Sequence, residues 1–324
     1  MVETIAFTCN TITPMFIAGA DGKTPEWRAS SIKGAMRFWW RALNGHIRVD
    51  TENILGAEKS KKAEGLRDQE AHIFGGAGMN NVAAQRSSFT IQVIGEDVKP
   101  ITTKLVPHKE SGFMASAFPQ KSSFQVIFRI PLKYSIKASV YGSLDEIFNR
   151  EKLIALFQLT SILGGIGKRV RRGMGSWQII SAHSNQHGDI PFLSKPSIND
   201  IYQEIKKITP HYYLQPDGII VMDFSGRMDK YPWVRRIEIG AAQPAAVDLP
   251  YKISKTTHDL KKPGTDAVYN VSLGHAWDGR FASPIYVSVL PDNRPIITTL
   301  NTIPDRDIDL INPRLQDQFK RSIL

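Results

Sequence analysis

The feature that most restricts the fold is the order in which hydrophobic periodicity switches along residues 1–182. ETIAFTCNTITPMF alternates apolar and polar positions with β-branched enrichment, which predicts a strand ending at Pro14. AGADGKTPEW reads as a turn-rich connection. From about Arg28 to Leu43 the period becomes helical: Ile32, Met36, Trp39 and Leu43 share one face, and Asn44-Gly45 supplies a stop. SSFTIQVIG and SSFQVIFRIP (122–131) read as two further strands. Residues 144–163 predict a second amphipathic helix with Ser143 as its N-cap, and SWQIISA predicts a closing strand. Strand, helix, strand, strand, helix, strand is the split βαβ, ferredoxin-like pattern.

The fold class expected is therefore α+β, with antiparallel sheets and helices packed on one face. A first domain is expected over 1–182, carrying an insertion at 46–87 and a glycine-rich loop at 164–175. The polar stretch HSNQHGD after Ala182 marks the boundary. A more irregular α+β domain is expected over 183–324, with a helix at 197–208, strands near 218–224, 234–239 and 284–290, and a helix near 313–323.

GGIGKRVRRGMGSW (164–177) holds five glycines and four positive charges in fourteen positions. Glycine permits positive φ and close backbone approach, and clustered cations repel unless an anion lies between them. The run predicts a loop that holds a polyanion through Gly165, Gly167, Lys168, Arg169, Arg171 and Arg172. It is no Walker loop: Ile162 and Arg169 stand where that motif needs Gly and Ser or Thr, and a helix precedes it. On the first helix, Lys33, Arg37 and Arg41 form a stripe four residues apart, with Ser30 and Gly34 alongside. Taken alone, such a stripe is more often a solvated face than a binding surface. The overall excess of 41 Lys+Arg over 31 Asp+Glu, net charge +10, favours an acidic partner.

Other classes find little support. Cys9 is the sole cysteine, so an intrachain disulfide and a cysteine zinc site are excluded. The eight histidines show no metal spacing, and no G-x-S-x-G elbow occurs. Asp21 reads as an ordinary turn carboxylate. No signal peptide, membrane span or broad basic amphipathic helix is evident, so a cytoplasmic protein without membrane partner, metal or cofactor is expected.

The segments TPMFIAGADGKTPEWRASSIKGAMRFWWRAL, AHIFGG, GGIGKRVRRGMGSW and GRFASPIYVSV (279–289) resemble the signature segments of RAMP proteins, the RNA-binding subunits of CRISPR systems. Their order and combination are most similar to the first-subunit family of Cmr, the type III-B effector. Nothing familiar occurs in 183–270. The resemblance implies two ferredoxin-like, RRM-related domains and a non-catalytic subunit. Its implied partners are CRISPR RNA near the guide 3′ end, target RNA and the other Cmr subunits, with no small-molecule substrate. RNA contacts are expected at Arg28, Ser30, Lys33, Arg37, Arg41, Gly165, Gly167, Lys168, Arg169, Arg171, Arg172 and Arg280. The alternative is a metal-independent endoribonuclease that processes CRISPR RNA. Its relatives use a histidine near the first helix; His46 is the nearest, but it lies past the helix stop and beside no matching motif.

Overall fold

A computed structural model of the chain describes residues 2–47, 65–77, 84–110, 112–131, 148–223, 231–261, 271–274, 281–301 and 311–324. The first sheet is antiparallel throughout, in the order β2-β5-β1-β6-β7. Its strands are β1 (Val2–Thr11), β2 (Thr90–Gly95), β5 (Ser123–Pro131), β6 (Trp177–Ser184) and β7 (Gly188–Asp189). Helix α1 (Ala29–Leu43) follows β1, and α3 (Arg150–Leu163) follows β5. The first four strands of this order are those of a ferredoxin-like fold, as the alternation of periods predicts. The N-cap of α3 is Asn149, whose side chain accepts from Lys152 N; Ser143 lies outside the described residues.

Two elements inside this unit have no counterpart in the sequence reading. Helix α2 (Leu66–Phe74) lies within the expected insertion, and a hairpin of β3 (Ile101–Lys104) and β4 (Met114–Ala117) stands apart as a two-stranded sheet.

The second sheet, also antiparallel, runs β11-β12-β10-β9-β8. Its strands are β8 (Tyr212–Leu214), β9 (Ile220–Met222), β10 (Val234–Ile239), β11 (Ile285–Val289) and β12 (Pro295–Leu300). Helix α4 (Ile198–Ile208) precedes β8, α5 (Asp248–Asp259) follows β10, and α6 (Pro313–Ile323) follows β12. From β10 to α6 the order is again ferredoxin-like. The place of a fourth strand beside β10 is taken by β9, which comes earlier in the sequence. Pro295 is tolerated because it opens its strand.

Helix α3 decides how the two sheets meet. Every residue from Leu153 to Leu163 is buried, so the helix has no face for water and must be enclosed. On one side Phe157 packs against Phe7, Phe128 and Trp177 of the first sheet, at centroid distances of 4.5, 5.0 and 5.1 Å. On the other side it packs on β11 and β12. Its polar groups are satisfied within the fold: Thr160 and Ser161 donate to Leu156 and Gln158 carbonyls, and Gln158 Oε1 accepts from Leu193 N. Strands β11 and β12 are buried at every position. Ile285, Val287 and Val289 face α5 and α6, while Tyr286 joins the core around α1. The layers thus run sheet, α1 and α3, sheet, α5 and α6.

The glycine loop seals this joint. Ile166 N donates to Gly175 O, Lys168 N to Phe16 O, Gly175 N to Pro14 O and Gly173 N to Val287 O, all at 2.9 Å. Ser288 Oγ reaches Gly164 O at 2.6 Å, and Thr13 Oγ1 reaches Gly173 O at 2.7 Å. Gly175 has φ +67°, and a Cβ there would stand 2.1 Å from Ile166 O. Gly175→Ala is therefore expected to cost at least about 3 kcal/mol, from a forbidden backbone region plus a clash with main chain. Gly34 on α1 has nothing within 4 Å of a Cβ, so Gly34→Ala should stabilise by roughly 1 kcal/mol. Urea unfolding of both variants checks the contrast, and a neutral Gly175→Ala would refute the close packing of the loop.

Candidate nucleic-acid interface

The expected contact residues fall into two groups, set by which neighbour each long side chain meets. On α1, Ser30 and Gly34 are exposed and Lys33 is half-buried. Lys33 Nζ lies 5.8 Å from the Phe89 ring centroid. Burial, and then the nearby Arg37, lowers its pKa. Arg37 Nε and Arg41 Nη1 both donate to Glu70 Oε1 of α2, at 2.6 and 2.7 Å. Glu70 is 6% exposed, so a buried carboxylate is compensated by two arginines that remain about one-third exposed. The stripe is thus an ion-pair triad that docks α2 on α1, with Lys33 and the Ser30–Gly34 strip accessible beside it. Arg28 Nη1 donates to Ala18 O at 3.2 Å, bracing the connection that precedes α1.

The loop meets α1 elsewhere. Arg171 lies 5.6 Å from the Phe38 ring and 5.9 Å from Tyr286, and its Nη1 donates to Ser283 O. A Cβ on Gly164 would stand 2.4 Å from Trp39 Nε1. Trp39 lies two residues, about 200°, around the helix from Arg37. The structure therefore does not bring the stripe and the loop onto one face of α1; the open Ser30–Gly34 strip faces the gap between them.

Within the loop the four cations have different surroundings. Gly167 and Lys168 are exposed. Arg172 Nη2 donates to Leu273 O at 2.7 Å, and burial, followed by Arg169 and Arg171, pushes its pKa down to about 9. Arg169 has φ +59° and a shielded Nε with no hydrogen-bond partner; burial lowers its pKa. Lys261 donates to Gly274 O, and burial plus Arg172 bring its pKa to about 8. Arg171, Arg172 and Lys261 thus hold the main chain on both sides of residues 275–280. Those residues, with the expected contact Arg280, lie outside the described residues.

The reason for the glycines also changes. A Cβ on Gly167, at φ +101°, would stand 2.3 Å from Phe16 O, and one on Gly165 would stand 2.9 Å from Met174 O. Close approach of the protein to itself accounts for both.

Further groups escaped the sequence reading. Glu70 was hidden in an apparent insertion, although Glu70, Ile73 and Phe74 share a helix face. Phe113, 71% exposed, follows the β3–β4 turn that also carries His108 and Lys109. Asp21 accepts from Lys23 N, Thr24 N and the Thr24 hydroxyl, bonds that hold its pKa at about 2. Among the described residues no cluster of three or more His, Cys, Asp or Glu has a metal-binding arrangement. No helix among them is long and apolar enough to cross a membrane.

Two ferredoxin-like units joined through a basic glycine-rich loop define the class of RAMP-type proteins. The RAMP superfamily matches residues 8–178, and the chain belongs to that superfamily. It is 33% identical over 190 residues to the CRISPR system Cmr subunit Cmr1-2 of Pyrococcus furiosus, spanning 55% of this chain and 96% of that protein. It is 28% identical over 199 residues to subunit Cmr1-1 of the same organism, spanning 57% of this chain and 50% of that one. In fold it is similar to the apo crystal structure of Cmr1 from Pyrococcus furiosus, with TM-score 0.58, 18% identity, and 100% and 97% of the two chains covered. A chain of the type III-B Cmr-beta complex bound to cognate target RNA has TM-score 0.57 at 11% identity, with both chains fully covered.

Two predictions follow from the charges. Changing Arg37 and Arg41 singly to Ala leaves Glu70 one partner, whereas changing both strands a buried carboxylate. The double variant should lose about 2 kcal/mol, more than the sum of the singles, and Glu70→Gln in that background should restore part of it. Additive losses in a thermal-unfolding cycle would dissolve the triad.

His46 stacks on His211 with centroids 3.9 Å apart, and its buried Nδ1 has no partner. Burial, then His211, pushes its pKa from 6.5 down to about 4. Between those values the unfolded chain binds more protons, so stability falls as pH drops from 6.5 towards 4. The ring is partly exposed, so the loss attributable to it should be roughly 1–2 kcal/mol. His46→Gln should flatten the acid limb of a stability–pH curve, and an unchanged limb would refute the assignment.

Proposed function

We propose that this chain is an RNA-binding subunit of a type III-B CRISPR effector complex, acting in the cytoplasm without catalysis of its own. It contacts guide RNA near the 3′ end, target RNA, or both, beside the other Cmr subunits. The observation that carries the reading is the match to a Cmr1 relative across 96% of that relative's length. A full-length likeness in fold to a chain of a target-RNA-bound Cmr complex supports it. The domain reading that accompanies it is a first unit over 1–182 and a second over 183–324, although the first sheet itself continues through Ser184 and β7.

The geometry favours some of the expected contact residues over others. Lys168 at the loop tip and Lys33 beside the open strip at Ser30 and Gly34 are the cations best placed to reach a backbone. Arg169, Arg171 and Arg172 stand behind Lys168 in the loop, while Arg28, Arg37 and Arg41 lie with Lys33 on the α1 side, the last two holding Glu70. Such contacts read phosphate and shape rather than base identity. That suits an RNA-guided assembly, in which base pairing supplies sequence.

Each phosphate contact on a single strand contributes roughly −0.7 to the slope of log affinity against log salt. Lys33→Ala with Lys168→Ala should therefore flatten that slope by about 1.4 and weaken binding to unrelated RNAs alike. Fluorescence anisotropy from 50 to 300 mM salt measures it, and an unaltered slope would remove these lysines from the interface. In a reconstituted complex, photo-crosslinks from 4-thiouridine in the guide 3′ region or in the target should reach this subunit; their absence from both RNAs would sink the reading.

A further inference from the structure

We propose that the β3–β4 turn, the glycine loop and the end of α5 form a phosphate-binding site, built from His108, Lys109, Arg169 and His258, which grips an RNA backbone phosphate and takes up protons as it does so. The proposal rests on the RNA-binding reading above and assigns to it a second, proton-coupled contact point away from the α1 strip.

Three separate elements converge there. The turn after β3 is closed by Lys109 N donating to Val106 O at 3.2 Å. It places His108 Nδ1 2.7 Å from the buried Ser254 hydroxyl on α5, with the His108 ring 4.9 Å from that of His258 on the same helix. Arg169 arrives from the glycine loop, its turn fixed by Arg172 N donating to Arg169 O at 2.8 Å. His108 Nε2 and Arg169 Nε are both shielded from water, and neither has a hydrogen-bond partner. Shielded donors are nearly always paired in folded proteins, and leaving them unpaired is unfavourable. The charges acting on His108 are Lys109 from its own turn, Arg169 from the loop, and His258 and Asp259 from α5. Asp259 is the only carboxylate among them, and its Oδ2 already takes the Lys255 ammonium at 2.8 Å. His108 thus gathers with a second imidazole, a guanidinium and an ammonium, against a single carboxylate that is already paired. A phosphate group, with several acceptor oxygens, complements that donor set. Arg169 adjoins the exposed Lys168, so a backbone crossing the loop tip leads towards this point.

The coupling to protons follows from the same geometry. Burial, then His258, Lys109 and Arg169, lowers the pKa of His108 in the free protein. A phosphate offsets the repulsion from these cationic neighbours, though not the burial, and so raises the imidazole pKa in the complex. Affinity is therefore greatest at pH below the free-protein pKa, and the gain is lost as pH rises through the pKa of the complex. An imidazole whose pKa rises by one unit on binding contributes about tenfold in affinity.

The test measures anisotropy of a labelled 20-nucleotide oligouridylate at constant ionic strength between pH 8 and pH 6. The wild-type protein is compared with the His108→Gln, His258→Gln double variant. Wild-type affinity should rise several-fold across this range beyond the rise in the variant. Histidine-ring NMR should show the His108 imidazole pKa raised by oligouridylate. If wild type and variant share one pH dependence, the site is overturned while the RNA-binding reading stands. If inorganic phosphate raises that pKa and oligouridylate does not, the site takes the free ion and the proposal fails. No oligouridylate binding by the wild type at any pH defeats the RNA-binding reading itself. Should the double variant unfold, His258→Gln alone alters an exposed ring, and an undiminished pH-dependent gain in it overturns the proposal.

Discussion

A helix with no polar face governs this molecule. From Leu153 to Leu163 the chain buries every residue, and a helix buried on all sides has no stable place at the rim of a single sheet. One ferredoxin-like sheet covers half of α3; the second sheet, through β11 and β12, covers the rest. The two units are thereby fused at a shared core that runs from Ile5 in β1 to Leu300 in β12. The segment leaving α3 has to emerge between the sheets. That is where the glycines are needed, because a Cβ on Gly167 or Gly175 would collide with the main chain of Phe16 or Ile166.

The same confinement explains the arginines. A cation in a narrow joint needs compensation, and here much of it comes from main-chain oxygens at Leu273, Ser283 and Gly274 rather than from carboxylates. Carbonyl dipoles satisfy donors but do not cancel net charge, so the joint stays electropositive even where its guanidiniums are occupied. The pKa of Arg172, brought down to about 9, reflects its burial first and then the repulsion of Arg169 and Arg171. An anion approaching from outside lowers the energy of the whole group without touching each member. The α1 triad behaves differently: Glu70 neutralises part of Arg37 and Arg41, so that charge serves the docking of α2 first.

The frame of the first unit was legible because its elements have a regular period or a clear stop: the alternation in β1, the 3.6 spacing of Ile32, Met36 and Trp39, the glycine after Leu163. Helix α2 and the β3–β4 hairpin fell outside that frame. The second unit was less so, for identifiable reasons. PIITTL begins with proline, and all six residues are buried, so β12 shows neither alternation nor an unpunctuated start. Helix α5 carries Pro250 in its first turn and Thr256–His258 in its last, which dilutes its helical signature. Strand β9 supplies the edge of a sheet whose core strands follow it, an order no local pattern reveals. The site suffered in the same way. Spacing correctly put Lys33, Arg37 and Arg41 on one stripe, but only tertiary structure supplies Glu70, and only tertiary structure joins His108 to His258 across about 150 residues.

A glycine-rich basic loop in a sequence therefore admits two physical accounts that a motif cannot separate. In one, glycine makes room for a ligand; in the other, it makes room for the protein. Here the hypothetical Cβ atoms at Gly165, Gly167 and Gly175 meet only the chain's own carbonyl oxygens and main chain, which selects the second account for the backbone. The side chains divide between the accounts: Arg171 and Arg172 face inward to carbonyls, while Lys168 faces outward. Recognition by such a loop thus depends on rigidity that the inward half provides. The loop tip presents Lys168 in a fixed place because four main-chain hydrogen bonds and two arginine clamps leave it little freedom, and a preorganised cation loses less entropy when a phosphate arrives.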